Sequence, residues 1–444
     1  MKYNFFLFFL FYNLQFSFCQ NGFEFQGNTS KVSLPFELIN NLIIIPIEVN
    51  GVKLNFLLDT GVSETIIFSL DDAGEISFNK YTSIRMKGFG NKSDFEAFRC
   101  NGNQLSVKNY VDKSQTIYLV LDQEINISSQ VGIPVNGIIG YHFFKNNLIK
   151  IDFDSKRLTI LKGSQKQLSK IEKRFNKIPM ELLENKPYIQ AKTIFEQNPN
   201  DFLDTKLLID TGNSDALWLF YGKSDKIKIP ENNIQDFLGR GLNGDVFGKR
   251  GRILSCQIDK FQINTPITSF PSTSEIENLS FVENRLGSVG SEIMKRFNLV
   301  FNYPANQLYL QKNDNFNEPF FYNMSGIEVQ HFGLEWTKNE YDKNPASSAA
   351  YFNINSEKVE RNIQYKFELK PVFIISNVRK NSPADISGVK KDDIIKKING
   401  RIAQNLKLQD FIELLKSEDS KTIRLEIDRK GKIITIKFQL KSII

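Results

Sequence analysis

The chain carries Asp-Thr-Gly twice, each copy closing a short apolar run: Phe56-Leu57-Leu58-Asp59-Thr60-Gly61 and Leu207-Leu208-Ile209-Asp210-Thr211-Gly212. Each run is long enough for a buried strand and ends on a turn-forming glycine. A carboxylate straight after buried aliphatics is costly unless something pairs or hydrogen-bonds it. Two such sites in one chain predict that the aspartates face each other. The surroundings repeat as well. Asp210 lies 210 − 59 = 151 residues after Asp59, and the glycines of Gly88-Phe89-Gly90 recur 151 on, as Gly239 and Gly241. Gly137-Ile138-Ile139-Gly140 recurs 150 on, as Gly287-Ser288-Val289-Gly290. Ile149-Lys150-Ile151-Asp152-Phe153 then aligns with Leu299-Val300-Phe301-Asn302-Tyr303.

A single Asp-Thr-Gly is an ordinary turn in which Asp caps its own backbone. Here each copy is followed by an apolar-apolar-Gly segment at nearly the same distance (140 − 59 = 81; 290 − 210 = 80). That register predicts an internal duplication, and so two similar units around a pseudo-two-fold axis.

These residues resemble the retropepsin-like aspartic proteases, in the bacterial arrangement of two fused lobes followed by a PDZ domain. The resemblance covers roughly residues 30–315, with a separate one at the C-terminus. It implies a fold dominated by β-structure, with two acid-protease lobes in one chain and an α+β PDZ domain. It implies Asp59 and Asp210 as the catalytic dyad, with Thr60 and Thr211 cross-bracing the two loops that turn at Gly61 and Gly212. Gly88, Phe89 and Gly90, and Gly239 and Gly241, would lie at flap tips over the substrate. The expected divisions are 1–19 signal peptide, 30–162 first lobe, 178–313 second lobe and 327–444 PDZ domain.

The length agrees with this plan, since 444 residues suit about three domains. With 41% apolar and 24% charged residues the chain is neither disordered nor fibrous. Its net charge of +7 (57 − 50) comes from scattered lysines without an arginine stripe, so no nucleic-acid partner is indicated. At the N-terminus, Lys2 and the almost wholly apolar residues 5–18 read as an export signal, too short to span a bilayer comfortably. Ser17-Phe18-Cys19 offers cleavage positions; a lipid anchor on Cys19 is the weaker alternative, because Phe18 is bulky. No later segment is apolar enough to span a membrane. A monomeric protein in the periplasm or outside the cell is the expectation. Cys100 and Cys256 remain in the mature chain, as a disulfide or as two buried thiols.

Taken in order, residues 20–33 read as a loose polar leader. Leu42–Val49, the Asn50-Gly51 turn and Val52–Leu58 form a hairpin that delivers Asp59 at a strand end. Residues 84–107 alternate around Gly88-Phe89-Gly90 as a second hairpin. Residues 162–177 are charged and read as the connector between lobes. Gly239-Arg240-Gly241-Leu242-Asn243-Gly244 matches a dinucleotide fingerprint in letters, but no helix pattern follows it, which favours a flap. Residues 311–326 are Asn-rich and read as a linker. In the C-terminal module, Asn381–Gly388 and the segment 393–400 carry the PDZ resemblance. That resemblance places Phe332, Gly333 and Leu334 in the loop that receives a peptide end.

Other hydrolytic chemistries are poorly supplied. The chain has two histidines, His142 and His331, in different domains, and no Gly-x-Ser-x-Gly elbow. No two histidines share a helix and the cysteines are far apart in sequence, so neither a metal nor another cofactor is expected. A carboxyl pair needs none of these, because two carboxyls in one site cannot both ionise cheaply. The expected function is therefore an exported aspartic endopeptidase acting on proteins or peptides. The alternative is a catalytically silent peptide-binding scaffold on the same fold. After the two Asp-Thr-Gly copies stand Val62, which donates nothing, and Asn213, whose amide can donate. That difference predicts a protonated Asp59 and an ionised Asp210, with Ser63 and Ser214 as possible substitute donors.

Overall fold

The computed structural model describes residues 22–70, 74–78, 80–86, 95–120, 127–241, 244–276, 281–342 and 363–444. The expected signal peptide and Cys19 therefore lie outside the described residues, as do Gly88, Phe89 and Gly90.

Each lobe is built around its Asp-Thr-Gly strand. In the first, Val52–Leu58 pairs antiparallel with Leu42–Val49 and parallel with Gly137–Ile139, which in turn runs antiparallel to Thr65–Ile67. In the second, Leu203–Asp210 repeats this with Lys186–Ile194, Arg285–Gly290 and Leu217–Leu219. The apolar-apolar-Gly segments are thus strands lying beside the aspartate strands. Their last glycines have a steric reason. A β-carbon on Gly140 would stand 1.8 Å from Val62 O, and one on Gly290 2.2 Å from Asp215 O. The chain crosses itself there more closely than any side chain permits.

The lobes share one further sheet. Among the described residues its strand order is Asn176–Pro179, Gln307–Lys312, Phe297–Asn302, Leu148–Asp152, Arg157–Leu161 and Lys31–Pro35. At its centre Lys150 pairs with Val300. These are repeat-equivalent positions (150 + 150 = 300), so the pseudo-two-fold passes between them. The architecture is the expected β-dominated pair of lobes with an α+β module.

Three stretches read as irregular are packed instead. The leader is not loose: Phe23 is fully buried, stacked 5.1 Å from Tyr110, and Lys31–Pro35 turns Val32 and Leu34 inward as the edge of the shared sheet. The connector contains the helix Gln165–Glu172, capped by the Ser164 side chain, and the strand Asn176–Pro179. The linker after the second lobe buries Phe320, Tyr322 and Met324. In each case isolated apolar residues in a polar stretch find a partner distant in sequence.

The C-terminal module pairs a long ribbon, Ile327–Asp342 with Ile363–Val378, against Ile394–Ile398, Thr422–Arg429 and Lys432–Gln439. The short helix Pro383–Ile386 and the amphipathic helix Leu408–Leu415 flank this sheet, and Phe411 packs 4.8 Å from Phe373. Among the described residues no helix is long and apolar enough to cross a membrane.

Candidate active site

The two Asp-Thr-Gly loops meet at the pseudo-two-fold and hold each other. Thr60 N–H donates to Thr211 Oγ1 and Thr211 N–H to Thr60 Oγ1, both at 3.0 Å. Each hydroxyl then donates across the axis, Thr60 Oγ1 to Ile209 O and Thr211 Oγ1 to Leu58 O, both at 2.7 Å. Both threonines are buried. Each aspartate accepts from the glycine of its own loop, Asp59 Oδ1 from Gly61 N–H at 2.7 Å and Asp210 Oδ1 from Gly212 N–H at 3.1 Å. The glycines also admit the opposite carboxyl. A β-carbon on Gly61 would lie 2.8 Å from Asp210 Oδ1, and one on Gly212 2.2 Å from Asp59 Oδ2.

The two carboxyls lie against each other over Gly61 and Gly212, and their surroundings differ. Burial, and then the charge of Asp210, push Asp59 well above the ordinary carboxylate range. Burial raises Asp210 too, but the Arg285 guanidinium and, more weakly, Lys186 pull it back. Arg285 and Lys186 thus favour the ionised form of Asp210 and bias a shared proton towards Asp59. Arg285 is itself buried, donating to Gly287 O at 3.1 Å and Ser288 Oγ at 2.9 Å, with the rings of Phe220 and Phe281 beside it.

This cause differs from the expected one. The Asn213 side chain does not donate to Asp210; its Oδ1 accepts from Asp215 N–H at 2.9 Å, closing a local turn. Ser63 Oγ donates away from the pair, to Glu184 O at 2.9 Å. The charge that separates the aspartates comes from Arg285, which is 285 − 210 = 75 residues away in sequence.

Behind the second loop runs a chain of buried ions. Arg250 bridges Asp215 at 2.7 Å and Asp236 at 3.0 Å, and Asp236 meets Arg379 of the C-terminal module at 3.2 Å. Asp215 also accepts from Trp218 Nε1 at 2.8 Å and Ser269 Oγ at 2.7 Å. Although burial pushes Asp215 up, the Arg250 guanidinium holds it below the ordinary carboxylate value. One signal for these residues was present in the repeat: 64 + 151 = 215 and 99 + 151 = 250, so Glu64 and Arg99 occupy the same two positions in the first lobe.

Both aspartates line a cavity of about 750 Å³. Gly239 and Gly241 contribute to its wall from the hairpin Asn233–Gly241/Gly244–Arg252, which has no helix after it and so excludes the dinucleotide reading. In the first lobe, Tyr81–Met86 pairs with Phe95–Val107 on either side of the segment containing Gly88, Phe89 and Gly90. The C-terminal module closes another part of the wall, with residues 327–330 of its ribbon and Ile412, Leu415 and Lys416 at the end of its helix. Phe332, Gly333 and Leu334 take no part. They form a bulge in the ribbon, where Phe332 and Leu334 stay 63% and 57% exposed. The end of the helix is held instead by the segment just before this ribbon, where Met324 N–H donates to Leu415 O.

One turn joins all three parts. Asn40 and Asn41 both adopt positive φ, 47° and 65°, at the tip of the hairpin Glu37–Ile39/Leu42–Val49. Asn41 Nδ2 donates to Ser214 O and Glu292 of the second lobe, while Asn40 N–H donates to Gln409 of the module's helix.

The histidines stand apart from the aspartates in bonding. His142 is in the helix Tyr141–Phe144, and His331 packs its ring 6.0 Å from Phe373. Cys100 and Cys256 are separate buried thiols. Among the described residues no group of His, Cys, Asp and Glu could hold a metal ion.

The sequence pattern of the Aspartyl protease family matches residues 45–143, and that of the PDZ domain matches residues 374–429. No curated protein matches the chain. Among solved structures, aspartic proteinase from Irpex lacteus is similar at 12% identity and a TM-score of 0.40, covering 65% of this chain and 99% of that one. That likeness is too weak to carry a functional conclusion. The first lobe thus holds an aspartyl protease domain and the C-terminal module is a PDZ domain.

Proposed function

We propose that this chain is an exported aspartic endopeptidase, monomeric, whose two lobes build one active site from Asp59 and Asp210. The observation that carries the reading is a pair of adjoining carboxyls, in unequal fields, at the floor of a cleft. An ionised Asp210 takes a proton from a water held between the carboxyls, and the resulting hydroxide attacks the peptide carbonyl. Asp59, protonated, donates to the oxygen on which negative charge develops, and the proton gained by Asp210 later reaches the leaving amine. Leu58 and Ile209, both buried behind the carboxyls, keep the local dielectric low and the coupling strong. Gly239 and Gly241 would close over the substrate. Because burial raises both carboxyls, the acid limb of kcat/KM, which reports Asp210, should lie above the ordinary carboxylate range.

The test is whether the purified chain cleaves an unfolded protein while its Asp59→Asn form, shown folded by circular dichroism, does not. Equal cleavage by both forms would exclude the dyad. No cleavage by either would favour a peptide-binding scaffold.

A further inference from the structure

Lys416 follows the PDZ helix Leu408–Leu415 and lines the cavity that holds the two aspartates. Its ammonium makes a single long hydrogen bond, to Asn40 Oδ1 at 3.5 Å, and among the described residues no carboxylate lies within 4.0 Å of it. The acidic groups in its field are engaged elsewhere. Asp215 is bound by Arg250 at 2.7 Å, and Glu292 by Lys295 at 2.9 Å and Arg296 at 3.3 Å. Glu328 accepts from Asn323, and burial, followed by the charge of Asp236, pushes its carboxyl up to about 7, so it is only partly charged at neutral pH. Burial also lowers the pKa of Lys416 itself. A cation with little hydration and no close counter-ion, set in the wall of a binding cleft, is completed by an anion on whatever enters. Beside it, Val329 and Ile412, both partly exposed, offer an apolar surface.

We propose that the cleft selects polypeptides bearing a carboxylate on one side of the scissile bond, received by Lys416, with the adjoining apolar side chain lying on Val329 and Ile412. This rests on the proteolytic reading above and extends it. The PDZ domain then acts as a subsite of the cleft rather than as a tethered recruiter. The carboxylate has two possible sources, an Asp or Glu side chain or the C-terminus of a short substrate.

The experiment uses the full chain and fluorogenic peptides made in pairs, Glu against Gln at each position and free acid against amide at the C-terminus. For the wild type, one member of a pair should exceed its partner by about tenfold in kcat/KM, the size of a charge-assisted hydrogen bond, carried by KM. Which pair responds identifies the source. Lys416→Met should erase the difference while leaving the uncharged peptides unaffected, and Lys416→Arg should keep it. A preference that survives Lys416→Met, or no preference in the wild type, would overturn the proposal. Binding of the same labelled peptides to Asp59→Asn, with and without Lys416→Met, separates this inference from the catalytic one. A carboxylate preference in Kd that needs Lys416, without wild-type cleavage, would uphold the subsite and refute the protease. Cleavage without any such preference would do the reverse.

Discussion

Thr60 and Thr211 exchange the same four hydrogen bonds across the pseudo-two-fold, yet the acidic residues that follow in each lobe meet different fates. In the second lobe Asp215 is locked to Arg250 at 2.7 Å inside a buried chain that ends on Arg379. In the first, Glu64 occupies the equivalent position, and burial raises its carboxyl while the exposed Arg99 only partly offsets this from a distance. Likewise Arg285, which biases Asp210, has Val135 as its counterpart (135 + 150 = 285). The difference shows which parts of a duplication are free to diverge. Backbone groups that meet at the axis have one solution, so both copies keep it. Charges behind the loops act through space and need balance only in sum, so one copy could concentrate them. The second lobe has become the charged half, which both polarises the dyad and seats the PDZ domain.

The largest effect should fall on the aspartates, where symmetry of need survives asymmetry of charge. Asp59→Asn and Asp210→Asn should each lower kcat/KM by about a thousandfold or more, and the double variant should be no worse than either, since the pair acts as a unit. A single variant retaining near wild-type turnover would mean that only one lobe is catalytic. Next in size is the contrast between the two arginines. Arg250→Met should cost about 3–5 kcal/mol in denaturant unfolding, because it leaves Asp215 without a counter-ion in the interior and Asp236 with Arg379 alone. Arg99→Met should stay within about 0.5 kcal/mol, as a surface change does. Equal losses would erase the distinction between the lobes.

The threonines should behave alike. Thr60→Val and Thr211→Val each remove a hydroxyl that donates to a buried carbonyl and accepts from a buried N–H, so each should lose about 2–3 kcal/mol by urea midpoint. A clear inequality would show that one loop leans on the other. The smallest effect tunes the pH profile. Arg285 favours the ionised form of Asp210. Arg285→Gln keeps a donor for Gly287 O and Ser288 Oγ but removes the charge, so the pKa of Asp210 rises. The acid limb of kcat/KM should then move to higher pH. An unmoved limb would place the base elsewhere.

Much of the frame was legible in the sequence because duplication writes geometry as spacing. The aspartate strands, their neighbouring Gly137–Ile139 and Arg285–Gly290 strands, and the hairpin at Asn50-Gly51 all sit where periodicity and turn chemistry put them. The glycines at 140 and 290 could be recognised because close approach leaves no alternative residue. The misread parts depend on distant partners. Val32 and Leu34 are two apolar residues in a polar leader, and only the strand Arg157–Leu161 makes them an edge. Arg285 and Lys416 carry no local motif; their meaning lies in what the fold brings near them. Phe332-Gly333-Leu334 carries a loop pattern in letters and sits as a bulge within the ribbon; the residues of that strand that line the cleft are 327–330.

The shared sheet has a consequence for when the protein can act. Its central pairing joins Leu148–Asp152 to Phe297–Asn302, and its strands come from residues as early as Lys31 and as late as Lys312. Pairings so far apart in sequence are slow to form, because the chain between them must first be ordered. A nascent chain that has released only its first lobe holds one aspartate loop that lacks all four cross-axis bonds. The two carboxyls meet only when the second lobe is complete and the sheet has closed. In the proposed protease, activity would wait for that closure, and a chain holding only its first lobe would carry half a dyad.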